Sequence, residues 1–321
     1  MRDFVNSRVV GGQQRIRTHI SFHTAGELVL WPYAYTRKNL PPDMTAQDLS
    51  AFRALGSAMA ATNGYRAMQS SSMYLSDGDM IDWMYHRHRI FSFTFELYPK
   101  GGGKPKHWYP PDEVIGRESR RNRDAVLYLM GKAYCPWSAV GAQAAKLNCG
   151  PLYDDLEIAR GWKMDPRGTD TASDGRWQRG DPVKDSFQLG SAISGQAVLV
   201  TGRKTGHDVD GGRTTARSPW FTMPDGGAAN LRLRYWVGLN AKATSEDGFA
   251  IHLVDRDGKR LATLKRVRGD RSGHRPVWRS LSKPLPRGLA GQRLAIELEA
   301  VDAGSGAVVE AAVDQVRVVA G

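Results

Sequence analysis

Two stretches, Thr18-His19-Ile20-Ser21-Phe22-His23 and, further along, Phe91-Ser92-Phe93-Thr94-Phe95-Glu96, decide the fold. Both are short runs of β-branched and aromatic residues, the kind that suits a pleated, buried surface. Apolar runs of this sort read as strands covered on both faces, as in a sheet with helices packed against it. Each run ends on a group able to do chemistry, an imidazole at His23 and a carboxylate at Glu96, where the strand leaves the core. In open α/β sheets ligands bind at that edge. Between the two runs, Met73-Tyr74-Leu75-Ser76-Asp77-Gly78-Asp79-Met80-Ile81-Asp82-Trp83-Met84-Tyr85 is a Gly/Asp-rich turn entering an apolar helix.

Working outward, residues 2–9 read as the end of a helix stopped by Gly11-Gly12, and residues 14–22 as the strand that delivers His23. Residues 45–62 are helical. Thr45 suits the N-cap, Leu49, Phe52, Leu55, Ala58 and Met59 recur at helical spacing, and Asn63-Gly64 ends the run. Residues 78–88 form a short helix, 90–97 a core strand, 99–111 a surface loop and 113–134 a charged helix, with Val114, Ala125, Leu129 and Ala133 among its apolar positions. Alternating strand and helix place this portion in the α/β class. From about Gly150 short alternating strands take over (231–235, 251–253, 294–298 and 313–318), separated by turn residues. They indicate an antiparallel β-sandwich, jelly-roll-like. The chain thus reads as two domains, 1–150 and 151–321.

Composition excludes some functions. With 321 residues, 41% of them hydrophobic, each domain can bury its own core. No apolar run approaches the roughly 20 residues needed to span a membrane. The first residues lack the apolar core of a signal peptide. The formal charge of +12 raises the question of nucleic acid. The densest basic run, 117–123, is interrupted by Glu118 and sits on a predicted helix, so it reads as a solvated face and no nucleic-acid partner is expected. Cys135 and Cys149 lie close together across an Ala/Gly-rich loop, which suits one short-loop disulfide in an oxidising compartment. In the second domain Asp208, Asp210, Glu310 and Asp314 could form a calcium cage of hard oxygen ligands.

The first domain resembles the C-terminal part of a secreted bacterial zinc carboxypeptidase of the funnelin (M14) type. Three blocks carry the likeness: residues 23–36, Tyr74 with Asp77-Gly78 and Ile81-Asp82-Trp83, and Phe93-Thr94-Phe95-Glu96. In the second domain, Asp165-Pro166-Arg167-Gly168-Thr169-Asp170-Thr171-Ala172 with Gly175-Arg176-Trp177-Gln178-Arg179-Gly180-Asp181-Pro182 resembles the accessory jelly rolls of secreted bacterial hydrolases. What the first likeness implies is a peptide hydrolase that removes C-terminal residues, secreted and monomeric, with peptide or protein C-termini as its partners. It implies His23 as a zinc ligand and Glu96 as the catalytic carboxylate. Tyr74 would close over the substrate, and Ile81, Asp79 and Thr94 would seat its end. An apolar floor at Ile81 with Asp79 beside it implies a broad or mixed preference for the terminal side chain.

The same likeness implies a His-x-x-Glu motif and an Asn-Arg clamp upstream. None of the eight histidines (19, 23, 86, 88, 107, 207, 252 and 274) is followed three residues later by Glu. The one Asn-Arg, Asn122-Arg123, lies after Glu96. The expectation is therefore a catalytic domain that begins within its fold, incomplete as an enzyme by itself. A different class remains open, a non-catalytic module whose sandwich attaches to glycan or protein.

Overall fold

A four-stranded mixed sheet carries the first unit, which comprises Met1–Val10 and Gln14–Asn148 of this computed structural model. The structure describes residues 1–101, 108–304 and 306–321; His107 and the centre of the loop expected over 99–111 lie outside them. Strands β1 (Thr18–Thr24), β2 (Leu28–Trp31), β3 (Arg66–Gln69) and β4 (Phe91–Leu97) stand in the order β1-β4-β2-β3. β1 runs parallel to β4, β2 antiparallel to β4, and β3 parallel to β2. A short helix α1 (Arg2–Ser7) precedes them.

β4 is buried from Phe91 to Glu96, and it alternates. Phe91 and Phe93 meet Phe52 of helix α2 (Ala46–Asn63) at ring separations of 4.8 and 5.5 Å, while Ser92, Thr94 and Glu96 fall on the opposite face. β1 departs from expectation. It is an edge strand, partly to fully exposed along its length, and Phe22 is 53% exposed. The β-branched and aromatic composition of its sequence signals a strand but not its place in the sheet, which is why a fully covered strand was the wrong expectation there.

Helix α2 forms where its signals lie. The Thr45 hydroxyl accepts from the Asp48 amide at 3.1 Å, and Gly64 closes the helix with φ 71°, a left-handed value that favours glycine. Leu49, Phe52, Leu55 and Met59 are buried along one side. The helix approaches the sheet closely at Gly56, where an added Cβ would stand 2.9 Å from the Trp31 ring. Asp48, buried, accepts from the Tyr85 hydroxyl of helix α3 (Met80–His88) at 2.8 Å and from the Trp137 indole at 2.9 Å.

Helix α4 (Ile115–Lys132) buries Glu118 and Asn122 together with Ala125 and Leu129, so its inward side is half polar. Asn122 accepts from Asn63 and donates to the Tyr65 hydroxyl, each at 3.0 Å. The neighbouring Arg121 grips Glu27 with two bonds of 2.9 and 3.0 Å. A purely solvated basic face is thus not what the run 117–123 provides.

The second unit comprises Gly11–Gln13 and Cys149–Gly321. Its strands are β5 (Leu152–Asp154), β6 (Lys163–Met164), β7 (Trp177–Gly180), β8 (Val198–Thr201), β9 (Gly212–Arg217) and β10 (Phe221–Thr222). They continue as β11 (Ala229–Leu239), β12 (Gly248–Asp255), β13 (Arg260–Arg268), β14 (Arg279–Pro284), β15 (Arg293–Asp302) and β16 (Val309–Ala320). One sheet runs β14-β11-β16-β8-β7 with β5 also on β16; the other runs β13-β12-β15-β9-β6 with β10 also on β15. All pairings are antiparallel. Alternate residues such as Leu231, Leu233, Ile251, Leu253, Ile296, Leu298, Val309 and Val313 fill one core between the sheets. The outer face of the first sheet has its own apolar cluster, Val198, Val200, Trp236 and Ala312, under Leu189, Ala192 and Trp278.

Two outcomes follow. Gly56→Val should cost about 1–3 kcal/mol by overpacking against Trp31, read as a lower denaturant midpoint for the first unit; an unchanged midpoint would show that the helix yields freely there. Burial, with Asp185 and Asp208 adding to it and the Thr201 hydroxyl opposing it, pushes the Glu310 carboxyl up to about 10. A folded value above the ordinary 4.5 means that stability is fully present at low pH and is lost as pH rises from about 4.5 towards 10. Glu310→Gln should therefore flatten the fall in melting temperature between pH 5 and 8 (roughly this range); an identical slope in the variant would rule the group out.

Candidate active site

The parallel ladder between β1 and β4 pairs Ser21 with Thr94, Phe22 with Phe95 and His23 with Glu96. The last pair emerges together at the end of both strands, on the same side. The His23 Nδ1 lies 3.7 Å from Glu96 Oε1, and its Nε2 is 3.0 Å from the Ser21 hydroxyl. Glu96 is 7% exposed, sandwiched between β1 and Leu28 of β2, while His23 is exposed.

Desolvation raises the Glu96 carboxyl above the ordinary range, the His23 imidazole pulls it back, and Asp79 adds to the rise. Asp79 is also the N-cap of α3, accepting from the Ile81 amide at 3.0 Å. The turn entering that helix therefore brings a second carboxylate within electrostatic reach of Glu96. A buried carboxylate of raised affinity for a proton is better equipped to take one up and give it back than an ordinary surface carboxylate.

The other residues singled out from sequence fall as follows. Thr94 is buried on β4, on the face that carries Glu96. Ile81 is fully buried in the first turn of α3. Tyr74 is 61% exposed on the loop before α3, and among the described residues it makes no hydrogen bond to His23 or Glu96. Cys135 and Cys149 are both disulfide-bonded.

The four carboxylates of the second unit do not form one cage: Asp208 lies within electrostatic reach of Asp210 and Glu310, but among the described residues no three acids are placed to hold an ion, and Asp314 stands apart. Asp208 takes the Val309 amide at 3.3 Å and Glu310 the Thr201 hydroxyl at 3.1 Å, and Asp210 is exposed. Asp314 holds the amides of Ile193 and Ser194 at 2.9 and 3.3 Å. It stands four residues beyond Glu310 on one strand, roughly 13 Å at ~3.3 Å per residue. A single cage containing both is therefore not formed.

Two positioning groups were not visible in the sequence. Asp82 accepts the Ala34 amide at 2.9 and 3.0 Å and the Tyr35 amide at 3.2 Å, tying the segment after β2 to α3; desolvation lifts it to about 6 despite those bonds. Asp43 collects the Tyr33 hydroxyl and the His86 ring, each at 2.8 Å. The run Pro41-Pro42-Asp43 signals a turn but does not name the distant partners of its aspartate.

Among the described residues no group of three or more His, Cys, Asp or Glu side chains is placed to hold a metal ion. A catalytic zinc takes three protein ligands. His23 and Glu96 offer two groups at most, and one ring nitrogen of His23 is hydrogen-bonded to Ser21. The residues present do not fit a zinc ion by themselves.

The zinc carboxypeptidase family profile, Peptidase_M14, matches residues 1–125. A zinc carboxypeptidase of Saccharothrix mutabilis subsp. capreolus is 46% identical over 138 residues, 43% of this chain and 31% of that protein. Carboxypeptidase A6 of Mus musculus is 30% identical over 92 residues, 28% of this chain and 20% of the mouse protein. The chain thus spans less than a third of the length of these relatives. Among solved structures, the K1 cleaved adhesin domain of Lys-gingipain from Porphyromonas gingivalis W83 covers 53% of this chain and 98% of its own, at 16% identity and TM-score 0.34. The Caldicellulosiruptor saccharolyticus CBM27-1 domain in complex with mannohexaose covers 52% and 95%, at 12% identity and TM-score 0.36. The sequence match lies on the strands and turns that assemble the His23–Glu96 pair, and residues 1–125 are similar to the zinc carboxypeptidase family.

Proposed function

We propose that the first unit supplies the proton-handling and substrate-seating side of a carboxypeptidase site, one that removes single residues from peptide C-termini. The observation that carries this reading is the buried Glu96 carboxylate, 3.7 Å from His23, with its proton affinity raised by desolvation. In this role Glu96 takes a proton from the water that attacks the scissile carbonyl and returns it to the departing amine, so that one bond is cleaved and no net proton is gained. His23 contributes one metal ligand of a set that the described residues do not complete. Tyr74, on the exposed loop before α3, donates a hydrogen bond to the bound peptide, and Thr94 and Asp79 line the seat of the terminal side chain with the fully buried Ile81 beneath it. An apolar residue suits Ile81, and Asp79 adds tolerance for a basic one. Disulfide-bonded cysteines support an oxidising compartment, in keeping with secretion.

A hybrid tests the reading, in which the matching 138-residue segment replaces its counterpart in the Saccharothrix relative. The hybrid should release C-terminal residues from peptides, and Glu96→Gln within it should lower kcat at least about a hundredfold, read by mass spectrometry of the products. A folded hybrid indifferent to Glu96→Gln would sink the assignment. In the chain itself, His23→Ala should raise the Glu96 pKa, because the imidazole pulls it down. An NMR titration of the labelled glutamate carbons reads this directly, and an unmoved midpoint would mean that the two groups are uncoupled.

A further inference from the structure

β13 ends one sheet of the sandwich and β14 ends the other, and between them lies a cleft of about 340 Å3. β13 lines it with Lys265 and Arg268, β14 with Arg279, β11 with Tyr235, and the connection between β13 and β14 with His274 and Arg275. Arg268, Arg275 and Arg279 are exposed, and Lys265 and His274 half-buried. None of Lys265, Arg266, Arg268, Arg275 and Arg279 has a carboxylate partner among the described residues. Asp270, in the connection between β13 and β14, is spent on the Ser272 amide and hydroxyl at 3.0 and 2.6 Å and stands 3.8 Å from His274.

The loop that carries these charges is fastened. His274 exchanges two backbone hydrogen bonds with Leu239, at 2.8 and 2.9 Å. The Lys265 ammonium lies 5.8 Å from the Tyr235 ring, which is itself braced against Phe249 at 6.1 Å. Like charges held this close raise the local potential and leave it to be neutralised from outside. Guanidinium groups present forks that match sulfate and carboxylate oxygens.

We propose that this cleft binds an anionic polysaccharide, whose sulfate or carboxylate groups are taken by Lys265, Arg275 and Arg279. Cations spread over two strands and a loop suit a ligand charged along its length more than a single small anion. Nucleic acid is disfavoured because Tyr235, the one Phe, Tyr or Trp lining the cleft, is 5% exposed and offers no face for a base to stack on. A peptide strand is disfavoured at both edges. The β12–β13 ladder shifts register at Ile251/His252 and again at Leu253/Val254, and β14 follows Pro276 and ends on Pro284. The proposal is independent of the function assigned to the first unit.

The test uses the full chain and four fluorescent probes: heparin, polygalacturonate, a single-stranded oligonucleotide and polyglutamate. Heparin or polygalacturonate should bind more tightly than the other two, and their comparison identifies sulfate or carboxylate as the preferred group. Arg275→Glu with Arg279→Glu should weaken that binding at least about tenfold. Arg117→Glu with Arg120→Glu, the same charge change in the first unit, should alter it less than about twofold. Should the charge reversal prevent folding, Arg275→Gln with Arg279→Gln is expected to weaken binding in the same direction. Equal losses in both pairs of variants, tighter binding of the oligonucleotide or polyglutamate, or no binding of either polysaccharide would overturn the proposal.

Discussion

The parallel pairing of β1 with β4 is the constraint on which the site rests. Strand pairing of this kind fixes which residues lie side by side, and a slip of one position would turn His23 and Glu96 to opposite faces. The buried face of β4 holds the register, because Phe91 and Phe93 must meet Phe52 of α2. The face that carries Glu96 is thereby positioned by packing on its reverse. Hydrophobic contacts on one side of the strand specify the place of a carboxylate on the other.

The environment of Glu96 comes from three separate elements. β4 buries it, β1 brings the imidazole, and the turn into α3 brings Asp79. Burial outweighs the favourable imidazole, so the carboxyl ends with a raised proton affinity. Asp82, in the first turn of the same helix, ties the segment after β2 to α3 through the amides of Ala34 and Tyr35. The helix that caps itself on Asp79 also anchors the chain that leaves the sheet.

Local signals made much of this legible in advance. Thr45, Gly64 and the apolar spacing between them mark α2 without any tertiary information, and the alternation of the later strands marks the sandwich. Residue order along one strand also disclosed His23 and Glu96 as strand-end groups. What it could not disclose was the neighbour of each strand: the makeup of Thr18–Thr24 is the same whether it lies inside a sheet or at its edge, where it lies. Asp208, Asp210, Glu310 and Asp314 illustrate the same gap, since proximity in sequence brought Glu310 and Asp314 onto one strand but set them too far apart to share an ion. Glu118 and Asn122 read as surface positions because polar residues usually are; their burial depends on Asn63, Tyr65 and Glu27, all far away in sequence.

That last cluster has a bearing on how α4 sits. Leucine and alanine contacts tolerate small rotations of a helix about its own axis, whereas the Asn63–Asn122–Tyr65 chain and the two-pronged grip of Arg121 on Glu27 do not. Turning the helix by one residue would strand an amide and a carboxylate away from water with nothing to bind. The helix is therefore keyed like a pin in a tumbler, admitted in a single orientation, and its azimuth is set by polarity where most helices of this kind are set by shape.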